Sequence, residues 1–285
     1  MTSLEDKLLA HAGVIGLVYA VIVSLGLIAD FVLLVRARTH GLHWAERKAW
    51  LQWRPWFGME MAGLLIVLAA LQLLLVPLKP WIDRLMESPI IQPDSWLMLI
   101  QSIVLHWAGF IFVAAWLAYR RIRWSSAFGI RSGGLFLRFA QGVVFLVATM
   151  PILLFYTLIY HIGLQLTGYN TDMQDVAYAI SDEQSLWMKA YFVVFAVVVA
   201  PVFEEILFRG IGLTVLAKRF GVATSIALIS AAFALIHGHV PSLVPLFLLS
   251  VSFSLAYMFT GSLLVPMVMH GLFNGLTMAM ILLAS

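Results

Sequence analysis

Residues 197–212 read VVVAPVFEEILFRGIG. An apolar run is interrupted by two adjacent carboxylates, Glu204 and Glu205, and by Arg209 one turn later. A charged side chain at the centre of a membrane helix costs about 2.5–3.5 kcal/mol on insertion scales. Three charges within six residues of such a run therefore need a reason. Two later apolar segments carry polar groups of the kind a catalyst uses: His237 in FALIH, then His270 and Asn274 in HGLFN. The stretch fixes the fold class as all-α and raises the question of a polar site inside a membrane bundle.

The rest of the chain agrees with that class. Of its 285 residues, 62% are hydrophobic and 11% are charged, against about 45–50% and 25% in soluble domains. Mean hydropathy is +0.98. We read a single integral-membrane domain over 1–285, a polytopic helical bundle, with its candidate catalytic core at 187–283. A span needs about 20 apolar residues. Eight segments qualify: 13–35, 57–78, 96–118, 136–163, 187–217, 223–239, 243–260 and 263–283. The net charge of +3 does not point to nucleic acid, because the basic residues gather in short loops, which is an orientation signal. Arg36, Arg38, Arg47, Lys48 and Arg54 lie in the first loop, Arg120, Arg121, Arg123 and Arg131 in the third, and Lys218 and Arg219 in the fifth. The fourth loop holds Asp172, Asp175, Asp182 and Glu183 with no basic residue. Loops one, three and five are expected on the cytoplasmic side, with both termini outside. In the first loop Trp50, Trp53 and Trp56 recur every third residue among basic ones, the pattern of a helix anchored in the headgroup region. The lipid bilayer is the first partner, and a bacterial plasma membrane the expected location.

Cysteine is absent, which removes disulfides, thiolate ligands and a Cys nucleophile. Glu5 and Asp6 stand where a signal peptide would be basic, so no cleavable signal is expected.

Spacing organises the polar residues. Glu205 and Arg209 are i and i+4 and share a helix face, with the acid in the favoured N-terminal position. Glu204 then points about 100° away. Glu204 and His237 each lie about 16 residues from a turn near Gly221, so an antiparallel hairpin sets both about 24 Å from it. Pro201, just before the pair, frees a backbone carbonyl. His270 and Asn274 are again i and i+4. Helical rise leaves His270 about 14 Å from a turn at Thr260-Gly261, some 10 Å shallower than Glu204; a last span beginning inside the membrane near Pro266 would remove the difference. Glu204 suits a general base. His237 suits sharing its water or binding a metal. His270 and Asn274 suit donation to an oxyanion or completion of a metal shell. Such a set meets the needs of peptide-bond hydrolysis. His11, His106, His161, Asp30 and Glu60, by contrast, lack an evident partner and read as packing residues. So do Phe208, Phe233 and the Gly271/Gly275 pair, the glycines marking a close helix contact.

Taken together, EExxxR at 204–209, FxxxH at 233–237 and HxxxN at 270–274 resemble the CPBP family, which includes the CAAX prenyl proteases and the bacteriocin-processing enzymes also called Abi. All three motifs match, in order, on successive hydrophobic segments, over about a quarter of the chain. The resemblance implies an intramembrane endopeptidase with an eight-helix core acting on a membrane-associated or prenylated peptide or protein. It implies Glu204 activating water with His237, His270 and Asn274 stabilising the oxyanion, and Glu205 and Arg209 shaping the site. The family has been described both as zinc-dependent and as glutamate-dependent; if zinc takes part, Glu204, His237 and His270 are the expected ligands. HExxH, GxGD and GxSG motifs are absent. Two other classes draw on the same residue types: a proton-coupled transporter, against which stands the lack of an inverted repeat, and a non-catalytic membrane scaffold or bacteriocin-immunity protein.

Overall fold

Alternating apolar runs and short polar loops can satisfy the backbone in lipid only as helices, and the computed structural model is built from them throughout. It describes residues 12–86, 91, 93–130, 134–172 and 174–284; His11, Arg131, Glu5 and Asp6 lie outside. The elements are α1 (Ala12–His40), α2 (Trp44–Gln52), α3 (Gly58–Leu75), a short 3-10 turn leading into α4 (Lys79–Leu85), α5 (Pro93–Tyr119), α6 (Trp124–Phe128), α7 (Leu135–Leu166), α8 (Asp175–Asp182), α9 (Leu186–Phe220), α10 (Val222–Ile236), α11 (Leu243–Thr260) and α12 (Leu264–Ala284). No strand occurs among the described residues.

Seven helices are long and apolar enough to cross a membrane. The expected sixth span is the exception. α10 has 15 residues, about 22 Å of helix against a hydrocarbon core near 30 Å. It stops at His237, followed by Gly238 in a left-handed conformation (φ 61°). Seven spans and one short apolar helix together make the polytopic bundle of an integral membrane protein.

The basic loops meet at one end of the bundle. Arg47 donates to the carbonyls of Leu42, Met258 and Phe259, and Arg54 to that of Ser126. Lys218 Nζ reaches the carbonyls of Arg54 (2.6 Å) and Trp56 (2.7 Å). Arg138 holds Gln141 at 2.9 Å. Loops one, three and five thus close over the ends of α9 and α11, where helix carbonyls lack internal donors. This changes the reading of the tryptophans. Trp53 is 87% exposed, as an anchor should be, but Trp56 is fully buried, stacked on Trp116 at 4.4 Å and on Phe128. Trp50 carries the Arg54 guanidinium at 4.0 Å and meets Tyr257 edge-on. The first loop is therefore a lid on the bundle as much as a headgroup anchor.

The lid also roofs the turn between α11 and α12. Ser262 and Leu263 are fully buried, and Leu263 N–H bonds the Phe128 carbonyl at 3.2 Å. Because this turn lies inside the protein, α12 starts deep and carries His270 to the level of the carboxylates. The depth mismatch expected from rise alone does not occur.

Close approach of helices replaces hydrophobic drive in lipid. A Cβ at Gly142 of α7 would collide with Val268 of α12, and one at Gly109 of α5 with the Phe203 ring of α9. At Gly26, the buried residue by which α1 docks, it would strike the Pro151 ring and the Val147 carbonyl of α7. Gly26→Leu should therefore pry α1 from the bundle. Tyr19 of α1 sits against Met280 of α12, Oη to Sδ 3.1 Å. In this cysteine-free chain, a Tyr19→Cys/Met280→Cys pair bridged by a short bismaleimide reads the contact. Cross-linking should fall several-fold on adding Gly26→Leu; an unchanged yield would show that the glycine contact does not seat α1.

Candidate active site

α9 is one apolar helix of changing pitch. Its backbone is π-helical over Phe195–Val199, α-helical over Ala200–Glu205 and π-helical again over Ile206–Leu213. Such bulges are rare and gather at functional sites. The two carboxylates lie on the short α-helical piece between them.

Glu205 and Arg209 are both fully buried and bonded, Nη1 to Oε1, at 2.7 Å. The spacing predicted the pair, and the structure adds how a guanidinium survives there. Arg209 Nη2 donates to Ser250 Oγ at 2.6 Å and to the Ser250 carbonyl at 3.2 Å. Its Cζ lies 4.8 Å from the Phe233 ring centroid and 5.0 Å from that of Phe253. Hydrogen bonds hold both Nη groups and aromatic faces cover the fork, while Nε makes no hydrogen bond; planar, two-pronged contact of this kind suits arginine and not lysine.

The same Glu205 oxygen accepts from His270 Nδ1 at 3.0 Å. The other ring nitrogen, Nε2, stands 3.8 Å from Glu204 Oε2. His270 therefore bridges the neighbouring carboxylates and completes a chain Arg209–Glu205–His270–Glu204. Its ring is stacked on Phe253 at 5.1 Å, with Phe233 edge-on at 5.8 Å. Along this chain exposure changes in one direction: the Arg209 and Glu205 side chains are at 0%, His270 at 5% and Glu204 at 22%. Glu204 is the end that opens outward, and its Oε2 has no hydrogen bond.

His237 closes α10. Its Nδ1 lies 2.7 Å from the Phe233 carbonyl. A carbonyl can only accept, so the proton is on Nδ1 and Nε2 of the neutral ring is an acceptor. The ring rests on Phe233 at 4.9 Å. Asn274 Nδ2 donates to the Ala196 carbonyl, in the first π stretch of α9, at 2.8 Å. Thus His270 and Asn274 do face one neighbour, α9, but at different levels of it.

Three contributions escaped the motif reading. Phe233, read as packing, touches Arg209, His270, His237 and Phe208. Ser250 and Phe253 come from α11, which carries none of the motifs; a polar residue repeated at i+4 in an apolar span (Ser250, Ser254) was the available signal. His106 on α5 lies edge-on to Phe195 and Phe203 of α9 at 4.7 and 4.9 Å. The remaining suspects serve the fold. Glu60 accepts from Phe57 N–H at the start of α3, and His161 bonds the Pro241 carbonyl.

A zinc ion needs three or four donors turned to one point. Among the described residues no three His, Asp or Glu side chains are so grouped. The Nδ1 bonds of His270 and His237 leave Nε2 of each ring free in principle, so it is the missing convergence that decides. Glu204, His237 and His270 do not fit as a ligand set in this arrangement.

Removing one partner of a buried ion pair strands the other, at a cost of about 3–5 kcal/mol. Arg209→Met should accordingly lower the detergent unfolding midpoint and the folded yield. Arg209→Lys should recover only part, because an ammonium cannot span Glu205 and Ser250 together. Equal stability of the lysine variant and the wild type would show that the fork geometry is dispensable.

Residues 186–276 match the family model described as Type II CAAX prenyl endopeptidase Rce1-like. No curated protein and no solved structure matches the chain. The matched residues run from the start of α9 into α12 and hold Glu204, Glu205, Arg209, His237, His270 and Asn274, together with Phe233, Ser250 and Phe253. Over this segment, about a third of the chain, the protein is similar to the Rce1-like type II CAAX prenyl endopeptidases.

Proposed function

We propose that the chain is an intramembrane endopeptidase in which Glu204, acting with His237, takes a proton from the attacking water. The carrying observation is the graded chain Arg209–Glu205–His270–Glu204, in which three members are sealed in protein and the last is open. Arg209 and Ser250 fix Glu205; Glu205 fixes the imidazole of His270 by its Nδ1; His270 then presents Nε2 beside Glu204. At 3.8 Å this is an ion-pair contact and not a hydrogen bond; it sets the field at Glu204 before substrate arrives, and such preorganisation is the larger part of electrostatic catalysis. His237 offers Nε2 as an acceptor, the role required to orient a water. With Nδ1–H given to Glu205, His270 donates from Nε2 only as the imidazolium, and in that form its Nε2–H is the group available to the oxyanion that forms as water adds to the scissile carbonyl. The proton taken by Glu204 is then available to the leaving amine. No step of this sequence uses a metal.

The substrate class follows from where the site is. It lies within a membrane bundle, so the scissile bond must be brought to it by a chain that partitions into lipid. We assign a membrane-associated or prenylated peptide or protein, with the bilayer as second partner.

Glu204→Gln keeps the shape and removes the base. Cleavage of a fluorogenic peptide ending in a farnesylated CAAX sequence should drop by about 10²-fold or more, with membrane level and unfolding midpoint unchanged. Membrane peptides should accumulate in cells carrying the variant, by comparative proteomics. Retention of full cleavage would remove the proposed base. A strong chelator should leave turnover of the wild-type protein within about twofold, and metal analysis should find well under one zinc per chain, against one for an essential catalytic site; loss of activity restored by added zinc would overturn the metal-free route.

A further inference from the structure

Asn274 makes its contact with the backbone of α9, well before the carboxylates in sequence, and the hydrogen bonds of that segment explain why. In the first π stretch Ala200 N–H donates to the Phe195 carbonyl, five residues back. In an α-helix it would have gone to Ala196, four residues back. The next donor in the π register, five residues after Ala196, would be residue 201. That residue is proline, which has no N–H. The Ala196 carbonyl has therefore lost its α-helical donor to the bulge and its π-helical donor to Pro201. Inside a membrane protein a backbone carbonyl must be satisfied by protein. Asn274 Nδ2 supplies the bond at 2.8 Å.

The approach is built for it. Asn274 lies between Gly271 and Gly275 on the same face of α12. A Cβ at Gly271 would run into the Val197 carbonyl, and one at Gly275 would touch the Val197 side chain. α12 thus comes down on the bulge with its backbone, and the asparagine reaches a carbonyl that helix pairing leaves over. Four residues earlier on that helix His270 reaches Glu205.

We infer that Asn274 is a positioning residue, a strut that takes the place of the N–H missing at Pro201 and holds the π bulge in register, so that Glu204 and Glu205 meet His270. It acts through the backbone of α9, to which it gives one of its two amide N–H groups. The activity arm of the test rests on the endopeptidase reading; the stability arm does not.

The test is a cycle between Asn274→Ala and Pro201→Ala in the purified full-length protein. Alanine at 201 restores an N–H that reaches the Ala196 carbonyl in the π register of this segment. Asn274→Ala alone should lower the unfolding midpoint by about 2–10 °C, the shift expected from one stranded carbonyl in a chain of this size. Adding Pro201→Ala should recover at least half of that loss. If Asn274→Ala fails to accumulate, accumulation of the double variant is the same rescue, read as membrane level. Additive losses, or no rescue in level, would overturn the strut. In cleavage of the farnesylated CAAX peptide, Asn274→Ala should lower kcat with KM little changed, and Pro201→Ala should restore kcat in the double variant. Recovered stability without recovered kcat would overturn the positioning role and return Asn274 to the oxyanion. A wild-type protein that leaves the peptide uncut would count against the endopeptidase reading, while the stability cycle would still decide the strut.

Discussion

A buried guanidinium sets the terms for everything around it. Arg209 lies in the middle of a membrane bundle with no exposed surface, and the cost of an unpaired charge there exceeds what any single packing contact returns. Its N–H groups and two faces must be met by protein. Glu205 on the same helix and Ser250 on α11 bond the two Nη groups, and the rings of Phe233 on α10 and Phe253 on α11 cover the faces, while Nε makes no hydrogen bond. Glu205 in turn draws in His270 from α12. One side chain thereby dictates how four helices are oriented about their axes, something apolar contact with lipid-like neighbours would leave loose.

The change in helical pitch explains how adjacent glutamates acquire different fates. On a straight α-helix the two differ only by rotation. Here they occupy six residues of α-helix held between two π segments, Phe195–Val199 and Ile206–Leu213. The upstream bulge is pinned by α12 and the downstream one encloses Arg209. Rotational play in the pair is removed from both sides. Glu205 points to the sealed charge cluster, while Glu204 points to the partly open end of it.

Much of this was legible in the sequence, for reasons that can be named. The i, i+4 relation of Glu205 and Arg209 survives because both sit on one helix, and local geometry is what spacing encodes. The convergence of the three motifs was legible because charge in an apolar segment demands partners, and few were on offer. The depth of His270 was not, because it depends on a turn at Gly261 being roofed by the first and third loops, a contact between segments far apart in the chain. Trp56 was misread for the same reason: a tryptophan stacked on Trp116 looks, in sequence, like one in a headgroup layer. α10 read as a full span because hydropathy does not reveal that a helix stops at a histidine and turns on Gly238. Ser250 was overlooked because serine is common in membrane helices and bonds its own backbone as readily as a neighbour. The π bulges had one trace in the sequence, Pro201. The proline announces a freed carbonyl without saying who takes it.

That last point bears on how catalysis can be housed in a membrane at all. A site in water may leave polar groups loosely arranged, since solvent fills any gap in their bonding. Within a bilayer each such gap carries the full desolvation cost, so a reactive carboxylate is left open most cheaply where the polar groups near it are largely closed. The chain meets this by spending most of its motif residues on closure. Arg209, Glu205 and Ser250 close one another, His237 and His270 each commit Nδ1 to a fixed acceptor, and Asn274 closes the backbone. What remains uncommitted is Nε2 of two imidazoles and the Glu204 carboxylate, with Glu205 Oε2 and Arg209 Nε buried and unbonded behind them. The motif residues are many because the number of groups that must be silenced is larger than the number that react.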